Sequence, residues 1–162
     1  MVDALLGELD AARARFHEAL ALVDVDLVTV PGVVNDWSVR DVVVHVAAWD
    51  EHGTEALALA AGGQGELFAY STDDTDAMNE RFLAEGRTLS PADALRREDA
   101  AFGAFRDAIA TLDPALLSHR LGNGDTVARV IRYDGPDHYA EHTEHLRAWF
   151  TPDDADDALD DA

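Results

Sequence analysis

Apolar side chains return at three- and four-residue intervals along most of this chain, and that spacing restricts it to helices packed by one face. Leu5, Leu9, Ala12, Phe16, Leu20 and Val23 fall on one side of a helix over residues 3–22. Positions three and four apart share a helical stripe, whereas a strand would scatter them over both faces. Residues 24–37 interrupt the pattern with Pro31, Gly32 and several β-branched residues, as a connection does.

The later helix starts are marked by caps. Ser38 and Asp41 form a capping-box-like beginning, Val42, Val46 and Trp49 continue as a buried stripe, and Gly62-Gly63 ends the helix. Residues 63–73 read as a long connection of the kind that joins two parallel helices of a bundle. Residues 74–86 give a short helical piece with Met78 and Phe82. Ser90, Pro91 and Asp93 open the next helix, with Leu95, Phe102, Phe105, Ile109 and Leu112 along it. Residues 114–133 read as a mixed segment, in which TVARVIRY (126–133) fits either strand or helix. Asp134-Gly135-Pro136 opens a last helix through Phe150, with Tyr139, His142, Leu146 and Trp149 facing inward. Four main helices and one long crossover predict an all-α four-helix bundle over residues 1–150. Residues 151–162, with six aspartates and little to bury, predict an acidic disordered tail.

Composition narrows the chemistry. Cysteine is absent, so no disulfide, thiolate metal site or cysteine nucleophile is available, and imidazole and carboxylate must hold any metal. The chain carries 33 acidic and 12 basic residues for a net charge of −21, and every basic residue is arginine. Such a surface repels phosphate, so neither nucleic acid nor an anionic membrane is expected as a partner. A high-GC genome would favour alanine, aspartate and arginine too. It does not account for so large an acidic excess, which is read as adaptation to high salt. No apolar stretch reaches membrane-span length, and the first residues are acidic without a basic one, so a cytoplasmic protein is expected.

The histidines are the feature that suggests chemistry. His138 and His142 lie four apart, about 40° of helical rotation, so both rings can reach one ion. His145 follows three later on the same side, and His45 lies one turn from both Val42 and Trp49. If the second and last helices are neighbours, His45, His138 and His142 meet inside the bundle. Three imidazoles leave a coordination position for water or substrate, the arrangement of a catalytic metal site. Spacing alone leaves other readings open: a histidine pair on a helix surface, and a buried, hydrogen-bonded His45. His17, His52 and His119 read as solvated polar positions.

The stretch NDWSVRDVVVHVAAWDEH (35–52) resembles the signature of the DinB/YfiT-like superfamily: Trp, Ser or Thr, a short charged run, then His followed by Trp. DHYAEHTEHLRAW (137–149) resembles that superfamily's HxxxH helix. ALAAGG, DTDAMNERF and SPADAL between them are similar to the ClbS/DfsB four-helix bundle branch. The resemblance spans residues 3–150 and implies an up-down-down-up bundle with His45, His138 and His142 as metal ligands. Many superfamily members carry glutamine at the position of His145, so here a fourth nitrogen can approach the ion. The resemblance implies a metal-dependent enzyme, a hydrolase or thiol transferase, in which zinc, nickel or iron activates water or thiol toward a small reactive molecule. The branch also includes members that act on reactive small molecules without an evident metal requirement, so a non-enzymatic binding or protection protein is the alternative. A structural bundle whose histidines only decorate the interior is the third reading. His145, Trp49, Tyr139 and Asn79 are candidate pocket or outer-shell residues, and no catalytic residue is assigned. Family members often pair, which allows a homodimer.

Overall fold

Each capped, periodic segment folds as a helix in the computed structural model, which describes residues 1–150 apart from the side chains of Thr72 and Asp73. The acidic tail predicted for residues 151–162 lies outside the described residues. The α-helices are α1 (Val2–Leu20), α2 (Val39–Ala61), α3 (Thr72–Gly86), α4 (Pro91–Thr111), α5 (Val127–Asp134) and α6 (Pro136–Phe150). Ser38 accepts from the Asp41 backbone N–H while the Asp41 carboxylate accepts from that of Ser38, so the box that starts α2 is complete. Gly63 leaves α2 with a φ of 68°, the left-handed conformation in which glycine is least strained.

Contacts between helices fix their directions. Phe16 packs on Tyr139 and Leu9 beside Gly135, so α1 and α6 run parallel. Arg13 pairs with Glu98 and Asp10 with Arg106, so α1 and α4 run antiparallel. Glu51 pairs with Arg97 and Gly53 lies against Phe105, which makes α2 parallel to α4. The long helices therefore run up, down, down, up, and a crossover joins the two parallel ones.

Three connections are richer than their sequences suggest. Within residues 24–37 a small antiparallel ribbon forms from β1 (Pro31–Val34) and β2 (Trp37–Ser38), turning at Asn35 with a φ of 53°. The 63–73 connection holds a short 3-10 turn and the first residues of α3. Residues 114–133 resolve into a 3-10 turn (Pro114–Ser118), an isolated bridge between Arg120 and Thr126, and α5. Gly135 then lets α5 turn into α6. A Cβ there would sit 2.8 Å from the Ile131 carbonyl and 3.0 Å from the Phe105 ring.

The core is one cluster that includes Leu9, Phe16, Val42, Val46, Phe105, Ile109, Ile131 and Leu146. Helix α2 runs through its middle, against α3, α4, α5 and α6, and every side chain from Asp41 to Asp50 is buried. Polar residues in that stretch, His45 and Asp50 among them, must find partners inside the protein. No described helix is long and apolar enough to cross a membrane.

Candidate metal centre and its chamber

Helices α2 and α6 are antiparallel neighbours, and their facing stripes bring three imidazoles together. His138 Nε2 lies 2.9 Å from His45 Nε2 and 3.1 Å from His142 Nε2. Four-coordinate zinc at about 2.0–2.1 Å from imidazole nitrogens would hold them about 3.3 Å apart; these two separations are within a few tenths of an ångström of that, and the three ligand atoms all lie within 4.8 Å of one another. Burial, then the neighbouring His142, lowers the His45 pKa to about 3. Burial and the nearest histidine hold His138 and His142 well below the usual histidine value as well. All three rings are thus neutral near pH 7, the form a metal requires, and their converging nitrogens fit a divalent transition metal.

The surroundings orient these rings. Trp37 packs on His45 with centroids 4.7 Å apart and stacks over His142 at 6.4 Å, an aromatic wall supplied by the β ribbon. Trp49, one turn past His45, donates through Nε1 to Asn79 Oδ1 of α3 at 3.1 Å. His145 Nδ1 stands 3.3 Å from His142 Nδ1, behind the converging nitrogens. The Nδ1 atoms of His45 and His138 are buried without a hydrogen-bond partner, although the Asp134 carbonyl one turn back favours a proton on His138.

The cluster forms one wall of a chamber of about 510 Å³, large enough for a small organic ligand. Trp49, Asn79 and His145, expected near the site, line it. The rest of its lining includes Tyr70 from the 63–73 segment, Asn123 and Tyr133 from the 114–133 segment, and Asp134 from the end of α5. His52 was read as solvated, yet its side chain is only 10% exposed and its Nδ1 lies 3.1 Å from Asp134 Oδ2. Phe68, Tyr70 and Asp134 cover it. The position of His52 carried a signal, because His45, Trp49 and His52 follow one helical stripe at three- and four-residue spacing. Burial raises the Asp134 pKa to about 6, with His52 pulling the other way.

Tyr139 belongs elsewhere. It does not line the chamber but points into the core, where its hydroxyl lies 2.7 Å from Asp50 Oδ2 and 2.8 Å from Glu98 Oε1. Glu98 also accepts from Arg13 Nε at 2.8 Å and Nη2 at 2.9 Å, and lies 3.0 Å from His17 Nε2. Burial alone would raise the Glu98 pKa, but His17, Arg13 and Tyr139 together hold it at about 2, so it is ionised. A phenol has one proton to donate, so the contact with Asp50 needs a second proton, carried by Asp50. Burial raises the Asp50 pKa in that sense. His17, read as solvated, thus has a fixed partner, while His119 is exposed as expected.

An all-α bundle with three histidines converging between its second and last helices has the DinB-like form. Residues 9–147 match the mycothiol maleylpyruvate isomerase N-terminal domain, and the chain belongs to that family. Its fold is similar to that of an uncharacterised protein from Escherichia coli UTI89 (18% identity, TM-score 0.78, 92% of each chain). It is also similar to ClbS, the colibactin self-resistance protein, in complex with a dsDNA (15% identity, TM-score 0.78, 91% of this chain and 93% of that one). The mycothiol-dependent maleylpyruvate isomerase shares the fold at 16% identity and a TM-score of 0.75, over 90% of this chain but 60% of that one. No curated protein matches the chain.

The ClbS complex overturns the expectation of no nucleic-acid partner, because a protein of this fold is seen with duplex DNA. Net charge averages the whole surface, whereas a duplex meets a local patch, so −21 does not exclude such a contact. Family and chamber together support a domain that acts on or binds a small molecule.

Proposed function

We propose that this protein is a metal-dependent enzyme that transfers a thiol, or adds water, to a small reactive electrophile. His45, His138 and His142 hold a divalent ion, zinc, nickel or iron. The supporting observation is that three neutral imidazole nitrogens, 2.9–3.1 Å apart in sequence of contact, form the wall of a ligand-sized chamber. The ion, when bound, lowers the pKa of water or thiol toward neutrality.

The chain supplies the rest. Trp37 and Trp49 fix the rings of His45 and His142 and exclude water from one side. Asn79 sets the indole of Trp49 through its carbonyl oxygen. Burial keeps the three histidines unprotonated, so protons do not compete with the ion for their lone pairs at neutral pH.

Mycothiol, the thiol named for the isomerase, with a neutral aryl halide electrophile is a suitable first substrate pair, the thioether and halide ion being the products. Zinc-loaded protein should accelerate thiol consumption, and stripped protein or His45→Ala should not. Equal rates in loaded and stripped protein would contradict the enzyme reading. Stoichiometric binding of the electrophile without turnover would favour a protection protein, the reading that the likeness to ClbS supports.

A further inference from the structure

The tyrosine part of the chamber lining has a hydrogen-bonding character of its own. Tyr70 Oη and Tyr133 Oη lie 2.8 Å apart, and Asn123 Nδ2 donates to Tyr133 Oη at 3.2 Å. One hydroxyl proton is used between the two oxygens. The other finds no acceptor among the described residues, whichever tyrosine carries it. Beside them Asp134, 1% exposed, spends Oδ2 on His52 and leaves Oδ1 without a partner. A buried carboxylate oxygen with nothing to accept from is costly unless a ligand supplies a donor. Asp125 and Glu141 add two more carboxylates to the lining. Among the described residues no arginine lines the chamber, and the sequence has no lysine; Arg129 reaches Asp125 from outside, at 3.0 Å and 71% exposed.

We propose that the chamber selects a neutral or cationic ligand body, seating an ammonium or other N–H donor on Asp134 and an acceptor oxygen on the Tyr70–Tyr133 pair, and that it excludes carboxylates. Maleylpyruvate carries two carboxylates, so this chain's own substrate differs in charge from that of the isomerase that shares its fold. The proposal rests on the chamber being the ligand site but not on a bound metal.

Phenethylamine and 3-phenylpropionate share an aromatic ring and a two-carbon arm and differ in the charge of the head group. NMR titration of the full chain with each, without added metal and at physiological salt, measures the preference. Phenethylamine should bind at least about tenfold tighter, with shifts centred on the Trp37 and Trp49 indoles. Asp134→Asn, which keeps an acceptor for His52, should cut the preference to threefold or less, and the exposed Glu141→Gln should cut it by a smaller factor. Equal or tighter binding of 3-phenylpropionate would overturn the proposal, as would an unchanged preference in both variants. The His138→Ala/His142→Ala protein separates the two readings. Its amine preference should persist even where metal binding is lost.

Discussion

Two buried polar clusters hang from consecutive residues of α6, and they are built on opposite terms. His138 looks toward the chamber, where the ring nitrogens of three histidines face one another and, among the described residues, the Nδ1 atoms of His45 and His138 have no partner. Tyr139, about 100° further round the helix, looks into the core, where Arg13, His17, Glu98 and Asp50 satisfy each other. Among the described residues, the closed cluster has one buried atom without a partner, Asp50 Oδ1. It ties α1, α2, α4 and α6 together, and Arg13 also lies 4.2 Å over the Phe102 ring. Buried groups that satisfy one another hold a fold, whereas buried groups left facing each other are held ready for a ligand. The same helix pays for the second kind with the first.

If the division is real, damage to the closed cluster should cost stability and leave metal binding alone. Glu98→Ala leaves the Arg13 guanidinium with Asp99 alone and the Tyr139 hydroxyl with Asp50 alone, and should cost about 3 kcal/mol in denaturant unfolding. The folded fraction should keep its metal stoichiometry; loss of metal in that variant would join the two regions.

The pH profile sharpens the contrast. The Glu98 pKa falls from 4.5 unfolded to about 2 folded, so its stabilisation is complete above pH 4.5 and disappears as pH falls toward 2. That amounts to about 3 kcal/mol, and Glu98→Gln should flatten this part of the stability curve. An unchanged slope in the variant would place the acid sensitivity elsewhere. Tyr139→Phe removes one hydroxyl from between two carboxyl groups and should cost about 1–3 kcal/mol, again with full metal content. The smallest effect is local to α2: Ser38→Ala removes its cap and should cost about 1 kcal/mol without moving His45. A change in metal affinity there would show that the site depends on how α2 begins.

The bundle is legible because caps and periodicity are local: α2 and α4 begin where Ser38 and Ser90 predict, and α6 begins within the predicted Asp134-Gly135-Pro136, although Asp134 itself ends α5. The meeting of His45 with His138 and His142 needed one further premise, that α2 and α6 touch, which spacing does not contain. Tyr139 was expected in the pocket because it faces inward, but a helix buried on a broad arc has more than one interior. The Tyr70, Asn123 and Tyr133 part of the chamber is not legible in the sequence, because these residues come from the least periodic stretches of the chain. His52 shows the reverse: its place on the His45–Trp49 stripe is readable, but its cover, Phe68, Tyr70 and Asp134, comes from parts of the chain whose contact with α2 no local spacing contains.

The central claim is that the three histidines hold a metal while the closed cluster holds the fold. Elemental analysis of protein purified without a polyhistidine tag, then dialysed against zinc, tests it directly. The wild type should retain about one ion per chain and the His138→Ala/His142→Ala protein almost none, with both equally helical. Full occupancy in that double variant, or a folded wild type that retains no ion, would contradict the account.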